Sequence, residues 1–439
     1  MRPDGPSVRA VATASAIGTT IEWYDFLIYS TAASLVLNKL FFPTHDPLVG
    51  RLLAIGTVGV GFVARPLGAL VLSHFGDRLG RKSMLIFTLL TMGIATTLIG
   101  LLPTFAGVGV VAPIMLIALR LLQGIAVGGE WGGAVLMAIE HSPPLQRGFY
   151  GSIVQVGYPL GMALGTASFF ALALLDEESF MRWGWRIPFV ASAAMVAVGI
   201  FIRLRVTETP EFTRDQREGR LERFPVLAAI IRHPKDLAIG LGVRVTEAAW
   251  IYVITIFCLS YAVNDLGLSR PLVLGAIALG AVVELVTIPV CGALSDRIGR
   301  RPVYMLGCLA TIAMAFPLFW AMGTRQPVIV VLGFVIAMAL GHGVVYGVQA
   351  SFLSEMFPSN VRYSGASLGY QLAAPIGGGL MPIVAAAMVA GTHATWPVSV
   401  LLICLSLLTM VAVRYAKETA PITTDNKRAD SDVELARGQ

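Results

Sequence analysis

The chain has 439 residues, of which 56% are hydrophobic and only 13% charged. A soluble domain carries roughly 25% charged residues, so the composition excludes a water-soluble globular protein and calls for an integral membrane protein. The net charge of +6 bears on orientation in the bilayer, not on nucleic acid.

Apolar runs near the about 20 residues that cross a bilayer recur along the chain and predict twelve spans. The first, 11–37, is too long and too acidic for a cleavable signal and reads as a spanning helix. It carries Glu22 and Asp25, three apart on nearly one helix face, with Asp25 close to mid-membrane. Span 50–75 contains Arg65 before a proline, read as a structural charge that neutralises an acid. Then comes a basic phrase, Gly76-Asp77-Arg78-Leu79-Gly80-Arg81-Lys82. Spans 83–102 and 108–140 follow. The second of these holds Arg120, Gln123 and Glu130, and Glu140 closes it. The glycines around Glu130 suggest close packing and a structural charge partner.

Span 148–175 opens after Arg147, carries Gln155 and Tyr158, and places Gly157, Gly161 and Gly165 on one face, where small residues let helices approach closely. After span 187–204, residues 205–236 form the one long polar interior stretch. Span 237–263 holds Arg244 and Glu247, three apart and able to satisfy each other. Span 271–294 holds Glu284, read as structural. The basic phrase then returns as Ser295-Asp296-Arg297-Ile298-Gly299-Arg300-Arg301. Spans 303–322 and 327–356 come next, the latter with His342 and a closing Glu355 that precedes Arg362 as Glu140 precedes Arg147. Spans 363–389, with Gln371, and 396–415 end the membrane part. The expected organisation is a six-helix half (1–204), a cytoplasmic linker (205–236), a second half (237–416) and a polar tail (417–439). Counting Arg203 with the linker, the bulk of the 32 Lys and Arg residues falls on the side of the two termini. The other side keeps Lys39, Arg51, Arg182, Arg186, Arg270 and Arg325. Both termini are therefore expected in the cytoplasm.

Charged groups inside hydrocarbon are costly and mark function or pairing. Five acids lie within the spans, Glu22, Asp25, Glu130, Glu247 and Glu284, against three arginines, Arg65, Arg120 and Arg244. The surplus predicts an acid that is solvated in a cavity or takes up a proton. Burial favours the neutral carboxyl, the requirement for proton coupling. Asp25 leads this role and Glu22 follows; the alternative is a permanently ionised partner of an arginine. Arg120 either grips a substrate carboxylate bidentately or pairs with Asp25 or Glu22. Arg244, Tyr29, Gln123, Gln155, Tyr158, Glu247, His342 and Gln371 complete the candidate substrate contacts, each with interhelical bonding or packing as its alternative. The four cysteines sit in apolar runs without metal-ligand spacing and read as buried hydrophobes.

The Asp-Arg-x-Gly-Arg-basic loops after spans 2 and 8 resemble the mark of the major facilitator superfamily. In the first copy Ser73 stands where the fuller motif has the glycine that the second supplies as Gly292. Glu22-Trp23-Tyr24-Asp25-Phe26, Arg65-Pro66-Leu67-Gly68, Gly128-Gly129-Glu130-Trp131-Gly132-Gly133, Trp183-Gly184-Trp185-Arg186-Ile187-Pro188-Phe189 and Glu208-Thr209-Pro210-Glu211-Phe212 are similar to its metabolite:proton symporter branch. Gln155-Val156-Gly157-Tyr158 and Arg244…Glu247 look most like the shikimate-carrying members. The resemblance implies an all-α, twelve-span fold in two pseudo-symmetric six-helix halves that rock around a site between them. It also implies a cytoplasmic ion-pair gate from Asp77, Arg78, Arg81, Glu140, Arg147, Asp296, Arg297, Arg300, Glu355 and Arg362, which Glu208 can join. Exposed ion pairs are worth roughly 0–1 kcal/mol each, weak enough to open repeatedly.

The reading is a proton-coupled importer of a small organic acid, shikimate or a related carboxylate, acting as a monomer in a bacterial inner membrane, with protons and lipid as its other partners and no cofactor. A proline or betaine symporter and a proton-antiport efflux carrier are the alternatives; a sensor without flux would need an added domain. There is no P-loop, metal cluster or nucleophile elbow to suggest an enzyme.

Overall fold

The computed structural model describes residues 7–43, 47–172 and 175–421. Most of the expected tail, from 422 on, lies outside them. Among the described residues the regular structure is helical, without strands.

Twelve helical spans follow the hydropathy. They are α1 (Val8–Ala32, continued by a π-helical turn, Ala33–Leu37), α2 (Pro47–Leu79), α3 (Arg81–Leu101), α4 (Val111–His141), α5 (Pro144–Leu172), α6 (Gly184–Leu204), α7 (Pro234–Asn264), α8 (Arg270–Ile298), α9 (Arg300–Gly323), α10 (Pro327–Glu355), α11 (Ser359–Thr392) and α12 (Trp396–Tyr415). Eleven are long and apolar enough to cross a membrane. The twelfth, α1, carries the acids Glu22 and Asp25, both buried in the bundle. Short helices Pro210–Arg217 and Pro225–Arg232 lie between α6 and α7.

The glycine stripe of α5 does what its spacing predicted. A Cβ on Gly157 or Gly161 would run into Ala16 and Thr20 backbone of α1, and one on Gly165 would press on Leu27. In the repeated phrases Gly80 and Gly299 hold φ of 104° and 105°. L-residues with side chains rarely adopt that conformation, so each phrase turns sharply between two spans. π-helical turns also interrupt α7 (Val253–Cys258), α10 (Ala337–Gly343) and α11 (Pro375–Leu380). Such turns are uncommon and are frequently found at functional sites.

The halves α1–α6 and α7–α12 meet along a central seam of aromatic rings. Phe62 packs edge-on to Tyr252 at 5.1 Å, Tyr158 to Tyr346 at 5.8 Å, and Trp131 stacks on Tyr370 at 3.7 Å.

Candidate functional site

The face bearing the two repeated phrases, the basic face, is closed by a pair of reciprocal caps. Asp77, at the end of α2, accepts hydrogen bonds from the backbone N–H of Tyr363 (3.3 Å) and Ser364 (2.9 Å) and from the Ser364 hydroxyl (2.8 Å). Asp296, at the end of α8, accepts from the backbone N–H of Gly148 (2.8 Å) and Phe149 (2.9 Å). Each carboxylate thus caps the helix start of the opposite half, where unpaired N–H groups and the helix dipole favour an anion. Arg81 lies 3.5 Å from both Asp77 and Glu140, while Arg300 contacts Asp296 at 2.7 Å and Glu355 at 3.2 Å. Arg362 reaches Glu140 across the seam at 3.4 Å.

Three features correct or extend the sequence reading. First, the network is buried, not superficial: Asp77, Arg81 and Arg300 are at most 1% exposed. Breaking one partner of a buried pair costs about 3–5 kcal/mol, well above the value for an exposed pair. Second, Arg78 and Arg297 of the same phrases are exposed and form no ion pair among the described residues. Third, Glu211 of the helix Pro210–Arg217 binds Arg147 (2.7 Å) from one half and Arg362 from the other. Burial alone would raise the Glu211 carboxyl, but Arg362 and Arg147 outweigh it and hold the group below the usual carboxylate range. Glu208 accepts from the backbone N–H of Arg81 and Lys82, both at 3.1 Å. Glu418 does the same for Arg300 (2.8 Å) and Arg301 (3.0 Å). Glu208-Thr209 and Glu418-Thr419 are therefore a third internal repeat, visible in the sequence yet unused in its reading. Ser73 is buried with its hydroxyl returned to the Ala69 carbonyl; Gly292, its counterpart, packs against Ser152 and Gly148.

Deeper in the first half, Glu130 pairs with Arg203 and accepts from the Thr88 hydroxyl. Arg203 is 4% exposed, beside the space left by Gly18. It belongs to the bundle and not to the linker, which reduces the surplus of buried acids by one. The signal was available: an arginine closing an apolar run, with an unmatched acid on a neighbouring span.

Asp25 accepts from the hydroxyls of Ser192 (2.6 Å) and Thr96 (2.7 Å). Gln123 donates to Thr96 at 2.7 Å and accepts from Arg120 at 3.2 Å, so Asp25 and Arg120 are linked through two side chains without touching. Tyr29 lies under Arg120 at 4.0 Å and donates to Thr57 at 2.6 Å. Tyr29 and Gln123 are thus turned into the first half, away from the seam. Glu22 is buried, has no ion pair within 4 Å among the described residues, and has Glu130, Arg65 and Arg203 as electrostatic neighbours.

At the seam, Arg65 stands 5.2 Å from the Phe26 ring and 4.8 Å from Phe62, and Arg120 stands 5.3 Å from Phe26. Among the described residues no carboxylate lies within 4 Å of either guanidinium, so Arg65 acts on Glu22 as a counter-charge at longer range and not through an ion pair. Along the same seam, the hydroxyls of Tyr158 and Tyr252, Nε2 of Gln155 and Oε1 of Gln371 are buried without hydrogen-bond partners. Gln155 accepts from Trp131 at 3.1 Å and Gln371 donates to the Val127 carbonyl at 3.2 Å, each keeping its other end free. Buried polar groups without partners are uncommon and call for a ligand or water. In the second half Arg244 pairs with Glu247 and sits 4.0 Å over Tyr370, while His342 contacts Glu284 (2.6 Å) and Glu247 (2.9 Å).

Residues 16–370 and 259–436 both match the Major Facilitator Superfamily. The chain belongs to that superfamily and is a secondary transporter of small metabolites. It is 42% identical to the shikimate transporter of Escherichia coli K12 over 391 residues, 88% of this chain and 89% of that one. It is 34% identical to the proline/betaine transporter of Salmonella typhimurium LT2 over 435 residues, covering 95% and 85% of the two chains. Among solved structures, the proton:xylose symporter XylE bound to 6-bromo-6-deoxy-D-glucose superposes with a TM-score of 0.75 at 18% identity, covering 94% of this chain and 96% of that one. That likeness bears on the fold.

Proposed function

We propose that the protein imports a small organic acid together with protons, by alternating access at the aromatic seam. The observation that carries this reading is a pair of buried guanidiniums, Arg65 and Arg120, with no carboxylate within 4 Å, beside unpartnered hydroxyl and amide groups. A planar guanidinium is suited to a carboxylate, and the free hydroxyls and amides to ring hydroxyls. The similarity to a shikimate transporter supports a hydroxylated cyclic carboxylate as cargo. The similarity to proline/betaine transporters supports an osmolyte instead. Two guanidiniums without a carboxylate within 4 Å favour cargo of net negative charge over a zwitterion such as betaine.

In this reading the chain lies in a bacterial inner membrane with the basic face and both termini in the cytoplasm. Residues 1–204 and 237–416 move as two lobes joined by the linker 205–236. The reciprocal caps of Asp77 and Asp296 hold the cytoplasmic side shut. Proteoliposome uptake of shikimate and a panel of carboxylates, against proline and betaine, with an internal pH dye, tests it. A carboxylate should enter with protons, and Arg120→Gln should raise its KM. Betaine entering in preference to every carboxylate would overturn the choice of cargo, and carboxylate entry without protons would overturn symport.

A further inference from the structure

His342 lies between two carboxylates with both ring nitrogens engaged: Nδ1 is 2.6 Å from Glu284 and Nε2 is 2.9 Å from Glu247. All three side chains are at most 1% exposed. An ionised carboxylate can only accept a hydrogen bond, and a neutral imidazole has one N–H and one lone pair. Two such contacts at these distances each need a proton between the heavy atoms. Either the ring is an imidazolium or one carboxyl is protonated. In both cases the cluster holds one proton more than a neutral imidazole with two carboxylates.

Charge counting leads to the same place. Among the described residues inside the bundle, the first half sets Glu22, Asp25 and Glu130 against Arg65, Arg120 and Arg203. That half is balanced without any added proton. The second half sets Glu247 and Glu284 against Arg244 alone. It becomes neutral only when the histidine cluster carries its extra proton. Buried charge left uncompensated is costly, so the vacant charge belongs in the second half.

We propose that the Glu284–His342–Glu247 cluster, and not Asp25, is where the coupled proton rides. Asp25 is engaged by the Ser192 and Thr96 hydroxyls, both of the first half, whose buried charges already balance. The cluster joins α8, α10 and α7, and His342 lies in the π-helical turn Ala337–Gly343. When the proton leaves, a nitrogen lone pair faces a carboxylate oxygen and the three helices lose their common contact. The π-turn supplies backbone slack for that change. One further buried acid faces this region, Glu22 of α1, an electrostatic neighbour of Tyr346 and Tyr370; its own neighbours Arg65 and Arg203 lie in the balanced first half. The neighbouring groups are Arg244 and Trp250 from α7, Thr287 from α8, Tyr158 from α5, Tyr346 from α10 itself and Thr311 from α9, with Cys308 and Tyr304 farther along α9. Two connections lead to the cargo seam. The imidazole stacks on Tyr346 at 4.7 Å, and Glu247 is shared with Arg244, which covers Tyr370. A cargo carboxylate drawn to Arg244 would compete with Glu247 and so alter the hold on the proton.

The transport arm of this inference rests on the symport reading; the proton count does not. Infrared difference titration of the purified full-length protein should show one buried ionisation that both Glu284→Gln and His342→Gln remove. Titration unchanged in both variants would overturn the assignment. In proteoliposomes, taking shikimate first and then whichever panel carboxylate the wild type accepts, both variants should lose cargo-driven proton entry and uphill accumulation. Counterflow, which needs no net proton movement, should fall less. Proton entry persisting in both variants overturns the cluster alone, whereas wild-type uptake without proton entry overturns symport and the cluster's transport role together. Two variants on different helices guard against one that misfolds.

Discussion

Glu130 in the first half is met by an arginine, Arg203, that cannot give up its charge; Glu284 in the second half is met by a histidine that can. Both acids are buried in helix-packed surroundings, but Glu130 has partners at both oxygens while Glu284 keeps Oε2 without one. The difference is reversibility. A carboxylate locked to guanidinium fixes helix positions through the whole cycle. One held by imidazole fixes them only while a proton is present. Two lobes of common architecture are thereby given different duties, one as a permanent frame and one as a switch.

The sharpest way to break this contrast is to remove each basic partner. Arg203→Leu leaves Glu130 buried without a counter-charge and should cost about 3–5 kcal/mol of stability. The double variant Arg203→Leu/Glu130→Leu should recover most of that loss. His342→Leu should cost markedly less, because Glu284 and Glu247 can share a proton between them or take one each. Denaturant unfolding in detergent measures all three. Equal losses for Arg203→Leu and His342→Leu would remove the distinction between frame and switch.

The next contrast is between the two reciprocal caps. Asp77→Asn and Asp296→Asn each replace a charged acceptor that receives backbone N–H groups from the other half. Asn can still cap the helix, so the loss of closure comes from the buried arginine each carboxylate also holds, Arg81 or Arg300, and should approach the about 3–5 kcal/mol of a broken buried pair. Positive-inside sorting depends on Lys and Arg, so insertion should be unaffected. The check is labelling of a cysteine placed at the basic mouth, which should speed up in both variants, alongside transport, which should slow. A response from one variant only would show that the halves do not share the closure.

These caps also mark where sequence reasoning works. The fold is legible because hydropathy and length set the spans; the charged residues of the basic face are legible because they recur in both halves, while their role as a gate is what the resemblance implies. The central site was less legible, since its geometry joins single residues from separate helices. Arg203 falls within the span 187–204 but is counted with the linker charges because it ends its apolar run, and no spacing ties it to Glu130. His342 was placed among substrate contacts, and Glu284 among structural charges, because nothing along the chain says that α8 and α10 bring them within 2.6 Å. Arg65 reads as a charge that neutralises an acid; it neighbours Glu22 without an ion pair and also stands over Phe26 and Phe62, a placement no spacing along the chain announces. Glu418 is the instructive omission: its Glu-Thr phrase repeats Glu208-Thr209, but at a polar chain end where a repeat was not sought.

A gentler test exploits the link between the halves through Glu211. Arg362 and Arg147 hold its carboxyl below the ordinary value of 4.5, against the opposing effect of burial. A group depressed in the closed form stabilises that form fully above its ordinary value and loses the contribution as pH falls through the depressed one. The Glu211 contribution to closure should therefore be complete and independent of pH near neutrality and fade only in acid, below about 4.5. Glu211→Gln should loosen closure at neutral pH and flatten the acid dependence of cysteine labelling at the basic mouth. Acid dependence equal to wild type would place the titrating contact elsewhere.

The smallest expected effect sharpens the gate most finely, because it compares arginines within one phrase. Arg81 and Arg300 are buried and bind carboxylates, while Arg78 and Arg297 are exposed and bind none among the described residues. Exposed substitutions away from such contacts usually change stability by less than about 0.5 kcal/mol. Arg78→Gln and Arg297→Gln should therefore leave mouth labelling and unfolding within that margin. Arg81→Gln and Arg300→Gln strand Glu140 and Glu355 and should open the mouth. A large loss of transport from Arg78→Gln or Arg297→Gln, with labelling of the closed form unchanged, would mean that these side chains act in the opposite, basic-face-open conformation. The repeated phrase would then serve both ends of the cycle, with its inner arginine holding the closed state and its outer one the open state.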